Sequence, residues 1–357
     1  EVALIGAIIV IATGLRLWSI GYDLPYVFHP DEPAVVSVAM RIFKSGDMNP
    51  HFFHYPSLVF YLHALAYALY YGFGRLTGTM SSPLDLVDLS SIAMGATIAP
   101  DPTIMLIGRL ISLAFGIGSV LLVYLIGRRL SDRPAVGAVA ASLLAVSPTH
   151  IYHSSVITPD VLVTFFALWA CYAAVLIFRE GKTRHYVIAG IAIGLTTASK
   201  YNGGLVGLVL PVAHFLRTGP SGWKDARLYL TVPLIAITFL LATPYALLDY
   251  RAFSEALIFD ASHYAAGHAG MEGDTLRWYA NFLWTTTTLL SIMALAEIVR
   301  GLIQRSRATI LLASFPIAYF IFISRFAVRN GRTILPILPF IFLLAAIPLV
   351  DLGGAAQ

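Results

Sequence analysis

Ten apolar stretches, at 2–20, 104–127, 135–153, 159–178, 186–199, 203–216, 228–248, 277–299, 309–324 and 333–350, decide what this chain can fold into. A helix needs roughly 20 apolar residues to cross a bilayer, and in lipid each helix must satisfy its own backbone polar groups. With 58% hydrophobic and 12% charged residues, a water-soluble domain does not fit. The expectation is an all-α polytopic membrane protein of about ten transmembrane helices, forming a single transmembrane domain over 1–357 with no soluble C-terminal domain. The stretch 2–20 carries Arg16 and no small-residue cleavage site, so it reads as a span and not a signal peptide.

Charge adds orientation. The sequences RRLSDR, REGKTR, RTGPSGWKDAR and RGLIQRSR, beginning at Arg128, Arg179, Arg217 and Arg300, alternate with acidic or nearly uncharged loops. By the positive-inside tendency these four loops are cytoplasmic. The net charge of +4 is small and its cations lie in short loops, so no nucleic-acid partner is expected. The single cysteine, Cys171, sits in an apolar run and allows no internal disulfide.

One polar motif stands out: HPDEP at 29–33 places Asp31 beside Glu32 just past the first span. Pro33 suits the start of a helix, and Val35, Val38, Ala39 and Ile42 fall on one face of the segment that follows, up to Ser45-Gly46. This is an amphipathic helix lying on a membrane surface. The acid pair either caps that helix or supplies a carboxylate base. Its side of the membrane turns on 54–74, which is apolar but rich in Tyr and Phe and holds His54 and His63. Such residues favour the interface. If this segment does not cross, 21–103 is one long external loop with juxtamembrane helices, and HPDE shares a face with Asp160, Lys200 and a second external loop at 249–276. That second loop begins as an amphipathic helix and ends glycine-rich, suiting a lid or a plain surface connection.

Further polar residues interrupt the apolar pattern. Asp160 follows Thr158-Pro159 at a helix start, where an acid also serves the helix dipole. Lys200 breaks an apolar run and is costly there unless it reaches water or an anion. Arg325, Arg329 and Arg332 share a face if SRFAVRNGR is helical, although Asn330-Gly331 is a turn signal.

The acid pair, followed in order by DMNPHFFHYPSLVFYL, RLISLAFGIGSVLLVYLIGRRL, SPTHIYHSSVITPDVLVTFFAL and GIAIGLTTASKYNGGLV, resembles the GT-C class of membrane glycosyltransferases. The chain is most similar to the protein O-mannosyltransferase and aminoarabinose-transferase branch, over about 18–339. The resemblance implies a polyprenyl-phosphate sugar donor, juxtamembrane helices in the first external loop, and a 54–74 segment that does not span. It implies catalytic roles for Asp31, Glu32 and Asp160, with Asp31 as the base, and donor-phosphate contacts from Lys200 and Arg109. Where some relatives carry a lysine, this chain reads HYP, so His54 or Tyr55 is expected to take part of the phosphate contact; Arg325 and Arg329 are further candidates.

The expected function is inverting transfer of a sugar to an acceptor hydroxyl on a protein, lipid or glycan. The expected location is the external face of a prokaryotic plasma membrane. Two alternatives stay open: a non-catalytic subunit of a larger membrane complex, with a membrane-protein partner, and a lipid or solute transporter. No cofactor is assigned. His150, His153, His29, His263 and His268 leave a divalent metal open, but no zinc-type spacing with cysteine is present.

Overall fold

The computed structural model describes residues 1–91 and 97–355. Part of the expected first external loop, 92–96, lies outside the described residues. The chain opens with α1 (Val2–Ser19), then α2 (Glu32–Ser45) and α3 (Leu58–Thr77). Next come α4 (Thr103–Ser131), α5 (Pro134–Ala145), α6 (Pro148–His153), α7 (Pro159–Arg179) and α8 (Thr183–Ser199). A 3-10 segment, Tyr201–Leu208, leads into α9 (Val209–Thr218), followed by α10 (Ala226–Ala242), α11 (Tyr245–Leu248) and α12 (Tyr250–Ala266). The chain ends with α13 (Thr275–Ile303), α14 (Arg307–Ile323), a 3-10 segment Gly331–Ile337 and α15 (Leu338–Ala355). Three two-residue strands, β1 (Tyr26–Val27), β2 (Ser90–Ser91) and β3 (Thr97–Ile98), form a small antiparallel sheet in the order β1-β3-β2. It ties the start of the first long connection to its end.

Five stretches among the described residues are helical, long and apolar enough to cross a membrane: Val2–Ser19, Thr103–Ser131, Pro159–Arg179, Thr275–Ile303 and Gly331–Gly353. Others are shorter than the apolar pattern suggests, for local reasons. The stretch 135–153 divides into α5 and α6 because Pro148 follows the N-cap Ser147, whose hydroxyl accepts from His150 N. The carbonyls left open at the end of α5 meet a cation. Arg16, fully buried, donates to the carbonyls of Ala12, Leu144 and Ala145 and contacts His150 Nδ1 at 2.8 Å. A guanidinium at a helix C-terminus suits the dipole, and it accounts for a charged residue inside the first span.

Two apolar cores result. The larger runs through α1, α4, α5, α7, α8, α9, α13, α14 and α15. Close approach of backbones, rather than exclusion of water, holds helices together in lipid. At the α4–α5 crossing, a Cβ added at Gly127 would stand 2.6 Å from Gly137 Cα. The smaller core joins α2 and α3 to residues of the first loop and to Ile104, Met105, Ile157 and Leu162 at the starts of α4 and α7. As the amphipathic pattern requires, α2 buries Val35, Val38, Ala39 and Ile42, and Gly46 closes it at φ 73°, a conformation that glycine adopts without strain.

The connection between α1 and α4 leaves and re-enters the bundle at one end. Arg109, in the second turn of α4, donates to the carbonyls of Ile20 and Tyr22 at 3.0 and 2.8 Å. A single crossing by α3 would separate those points by a bilayer thickness, so α3 lies along the bundle end, packed on α2. The basic loops gather at the opposite end. There Arg133 pairs with Asp351 at 2.6 Å, Arg179 with Asp132 at 2.7 Å, Arg128 with Glu1 at 3.3 Å and Arg300 with Asp351 at 3.4 Å.

Candidate active site at the polar end of the bundle

Four elements supply the polar end: the loop before α2, the start of α7, the α8 to 3-10 junction, and the Asn330–Thr333 turn. Asp31 occupies the N-cap position of α2, yet its side chain makes no cap hydrogen bond. It forms an ion pair with Arg332. Capping therefore does not explain this residue. Glu32, its neighbour, turns the other way and is fully buried. Its Oε1 accepts from Arg109 Nε at 2.9 Å and Ile157 N at 2.8 Å, and its Oε2 accepts from Arg109 Nη2 at 2.8 Å. Arg109 also donates to Asp23 Oδ1 at 3.0 Å. With the Ile20 and Tyr22 carbonyls, all its N–H groups are occupied. Two expectations change as a result. Arg109 is not placed to hold a donor phosphate, because it is 1% exposed and saturated. Glu32, at 0% exposure and with both oxygens engaged, is not placed to act as a catalytic group. Together they staple the starts of α2, α4 and α7.

Asp160 and Lys200 come together from α7 and the end of α8, with Nζ to Oδ1 at 2.8 Å. Burial disfavours the Lys200 charge, but the Asp160 carboxylate and the nearby Tyr264, Tyr319 and Tyr55 outweigh it, and the lysine pKa is raised. The ammonium is thus retained in a site that would otherwise expel it. Lys200 opens into a cavity of about 330 Å³ that His54, Tyr55, Asn202, Asp260, Tyr264, Tyr279 and Thr333 also line. His54 Nδ1 lies 2.7 Å from Asp260 Oδ1. The rest of its lining is largely apolar, from Leu257, Phe322, Ile323, Phe326 and Val328. The expected 249–276 connection contributes α12 as a cover, through Leu257, Asp260 and Tyr264. The Tyr264 carbonyl accepts from Ala327 N and Val328 N at 2.9 and 3.2 Å, and Asn49 Nδ2 donates to Asp249 at 2.9 Å.

A second, more open cavity of about 520 Å³ is lined by Pro30, Thr149, Tyr152, His153, Phe282, Asn330, Gly331 and Arg332. His29 sits between the ion pairs. Burial lowers its pKa, while Glu32 and Asp160 pull it upward and Arg332 and Arg109 push it down. Its ring is therefore neutral at neutral pH.

The arginines at 325–332 do not share a helical face. α14 ends at Ile323, and the next helical turn starts only at Gly331. Arg325 is exposed. Arg329 donates to the carbonyls of Glu272 and Gly273 at 2.7 and 3.2 Å. Neither lines the Lys200 cavity. Arg332, which the helical pattern grouped with them, is the one of the three that reaches Asp31. The turn signal Asn330-Gly331 was the clue: Asn330 caps the following 3-10 segment, with its Oδ1 accepting from Thr333 N. Asp23 and Asp260 were also missed, because neither lies in a motif and each is recruited by a partner distant in sequence. Among the described residues no group of three His, Cys, Asp or Glu side chains converges on a metal-sized site.

A family model, dolichyl-phosphate-mannose-protein mannosyltransferase, matches residues 91–246. No curated protein matches in sequence. Among solved structures, ArnT from Cupriavidus metallidurans bound to undecaprenyl phosphate superposes with a TM-score of 0.73 at 15% identity, over 98% of this chain and 60% of that one. The oligosaccharyltransferase AglB from Archaeoglobus fulgidus, in complex with an inhibitory peptide and a dolichol-phosphate, gives 0.64 at 14% identity, over 99% of this chain and 50% of that one. This chain therefore spans about 60% or less of the length of these relatives, and it has their GT-C membrane fold.

Proposed function

We propose that this chain, which has the GT-C fold and matches the mannosyltransferase family model over its middle third and beyond, transfers a sugar from a polyprenyl-phosphate donor to an acceptor hydroxyl. The observation that carries the reading is a pair of ion pairs at the polar end: Asp160 holds Lys200, which opens into a cavity of mixed polar and apolar lining, and Asp31 holds Arg332, which adjoins the cavity-lining Thr333. A lipid phosphate is amphipathic in the same sense. Its phosphate would lie toward Lys200, His54 and Tyr55, and its first isoprene units against Phe322 and Phe326. ArnT and AglB have been crystallised with polyprenyl or dolichol phosphates, which supports this class of donor.

The chemistry asks little of the protein. The acceptor oxygen attacks the anomeric carbon, and its proton passes to the Asp31 carboxylate. The bond from that carbon to the phosphate oxygen breaks, and the phosphate leaves with the electron pair, gaining one negative charge. A cation beside the phosphate stabilises that charge as it develops. A base on the side opposite the leaving group suits one displacement with inversion, by analogy with inverting glycosidases. The positive-inside tendency favours a cytoplasmic arginine-rich end, and this supports a site on the external face.

The test is Asp31→Asn in the full chain, reconstituted with a polyprenyl-phosphate sugar. Transfer falls by about 10²- to 10⁴-fold, the usual worth of a general base, while donor lipid still binds. Wild-type transfer in that variant ends the assignment.

A further inference from the structure

Lys200 and His54, at the Lys200 cavity, already have carboxylate partners. Lys200 is paired with Asp160 and His54 with Asp260. A phosphate that enters, and then gains a further negative charge as the sugar departs, needs a cation that can be released to it. Arg325 is exposed and lines neither cavity, and Arg329 is committed to backbone carbonyls. Arg109 is saturated inside the clamp. Arg332 differs from all three. It is partly buried, lines the second cavity, and is followed directly by Thr333 in the wall of the Lys200 cavity. Its partner is the carboxylate that the reaction needs free.

We propose that Arg332 is a positioning residue that holds Asp31 in the donor-free protein and moves to the donor phosphate on binding, so that the base is released only when the donor is in place. The inference rests on the glycosyl-transfer reading above. The guanidinium lies against Asp31 Oδ2, so an arriving proton would have to displace it there, and Asp31 paired with Arg332 is a poor base. Transfer of the guanidinium to the phosphate frees the carboxylate and adds a cation where negative charge develops. A donor-free site then has little means of activating water or a stray hydroxyl. The 330–333 turn suits the task, because it contributes Arg332 to one cavity and Thr333 to the other.

The exchange makes donor binding and the ion pair compete. This can be read without any transfer, using a sugar-free polyprenyl phosphate and the full chain in nanodiscs. Asp31→Asn removes the competitor and tightens polyprenyl-phosphate binding by about two- to fivefold, the scale of a partly exposed ion pair. Arg332→Gln weakens binding by a similar factor, and the gain from Asp31→Asn disappears in the Asp31→Asn/Arg332→Gln double variant. Arg332→Lys keeps the charge and retains part of the affinity, which controls for misfolding. A purely structural pair predicts unchanged or weaker binding in Asp31→Asn, and that result, with wild type binding normally, overturns the exchange. If the wild type binds no polyprenyl phosphate, the donor assignment itself fails and the exchange fails with it.

Discussion

Asp31 and Glu32 are adjacent carboxylates at the start of one helix, and they end in opposite situations. Glu32 faces inward, fully buried, against an arginine whose every N–H is taken. Asp31 faces the rim, where its partner Arg332 borders an open cavity. A buried ion pair with satisfied geometry resists change, because removing one partner strands a charge. A rim pair can be exchanged for another ligand at small cost. On the proposed reading, the first pair builds the site and the second operates it. Chemistry is assigned here by what a carboxylate can let go of, not by its place in a motif.

The largest expected effect separates the two acids by activity. Asp31→Asn loses transfer by the factor given above and keeps its unfolding temperature, as followed by tryptophan fluorescence in detergent. The clamp behaves in reverse. Arg109→Met leaves Glu32 and Asp23 buried without their cation and costs about 3–5 kcal/mol of stability, whereas Glu32→Gln with Arg109→Met together costs less, because no unpaired charge remains from Glu32. Thermal unfolding of both variants measures the contrast, and equal losses would contradict it. Lys200→Gln weakens polyprenyl-phosphate binding by about ten- to a hundredfold, the range for a hydrogen bond to a charged group, with unfolding less affected than in Arg109→Met.

The smallest effect concerns pH. The His29 pKa is lowered from its ordinary value of 6.5, chiefly by burial, so the unfolded chain takes up a proton before the folded one does. Stability from this group is full above about pH 6.5 and is lost as pH falls through the folded-state value. His29→Gln flattens that acid slope of the unfolding temperature; a slope unchanged by the substitution would show that other groups set it.

Much of this arrangement was legible. Apolar spacing marked nearly every membrane helix, and the face of α2 followed from Val35, Val38, Ala39 and Ile42. The location of 54–74 was not decidable from hydropathy, since a Tyr-rich helix can cross a bilayer or lie on it. The hydrogen bonds from Arg109 to Ile20 and Tyr22 settle where its flanking segments meet. Roles inside the acid pair were hidden for a different reason. Glu32 and Arg109 lie far apart in sequence, and only the rule that an intramembrane arginine needs a partner pointed from one to the other. Arg332 was obscured by reading Arg325, Arg329 and Arg332 as one stripe, a pattern that the Asn330-Gly331 turn breaks.

The central claim is that one cavity serves both the donor phosphate and the Asp31 base. A structure of the full chain with a bound polyprenyl phosphate tests it most directly. The account predicts phosphate oxygens within hydrogen-bonding distance of Lys200 Nζ, with the Asp31 carboxylate facing the same space. Phosphate at the arginine-rich end, or seated where Asp31 cannot approach it, would contradict it.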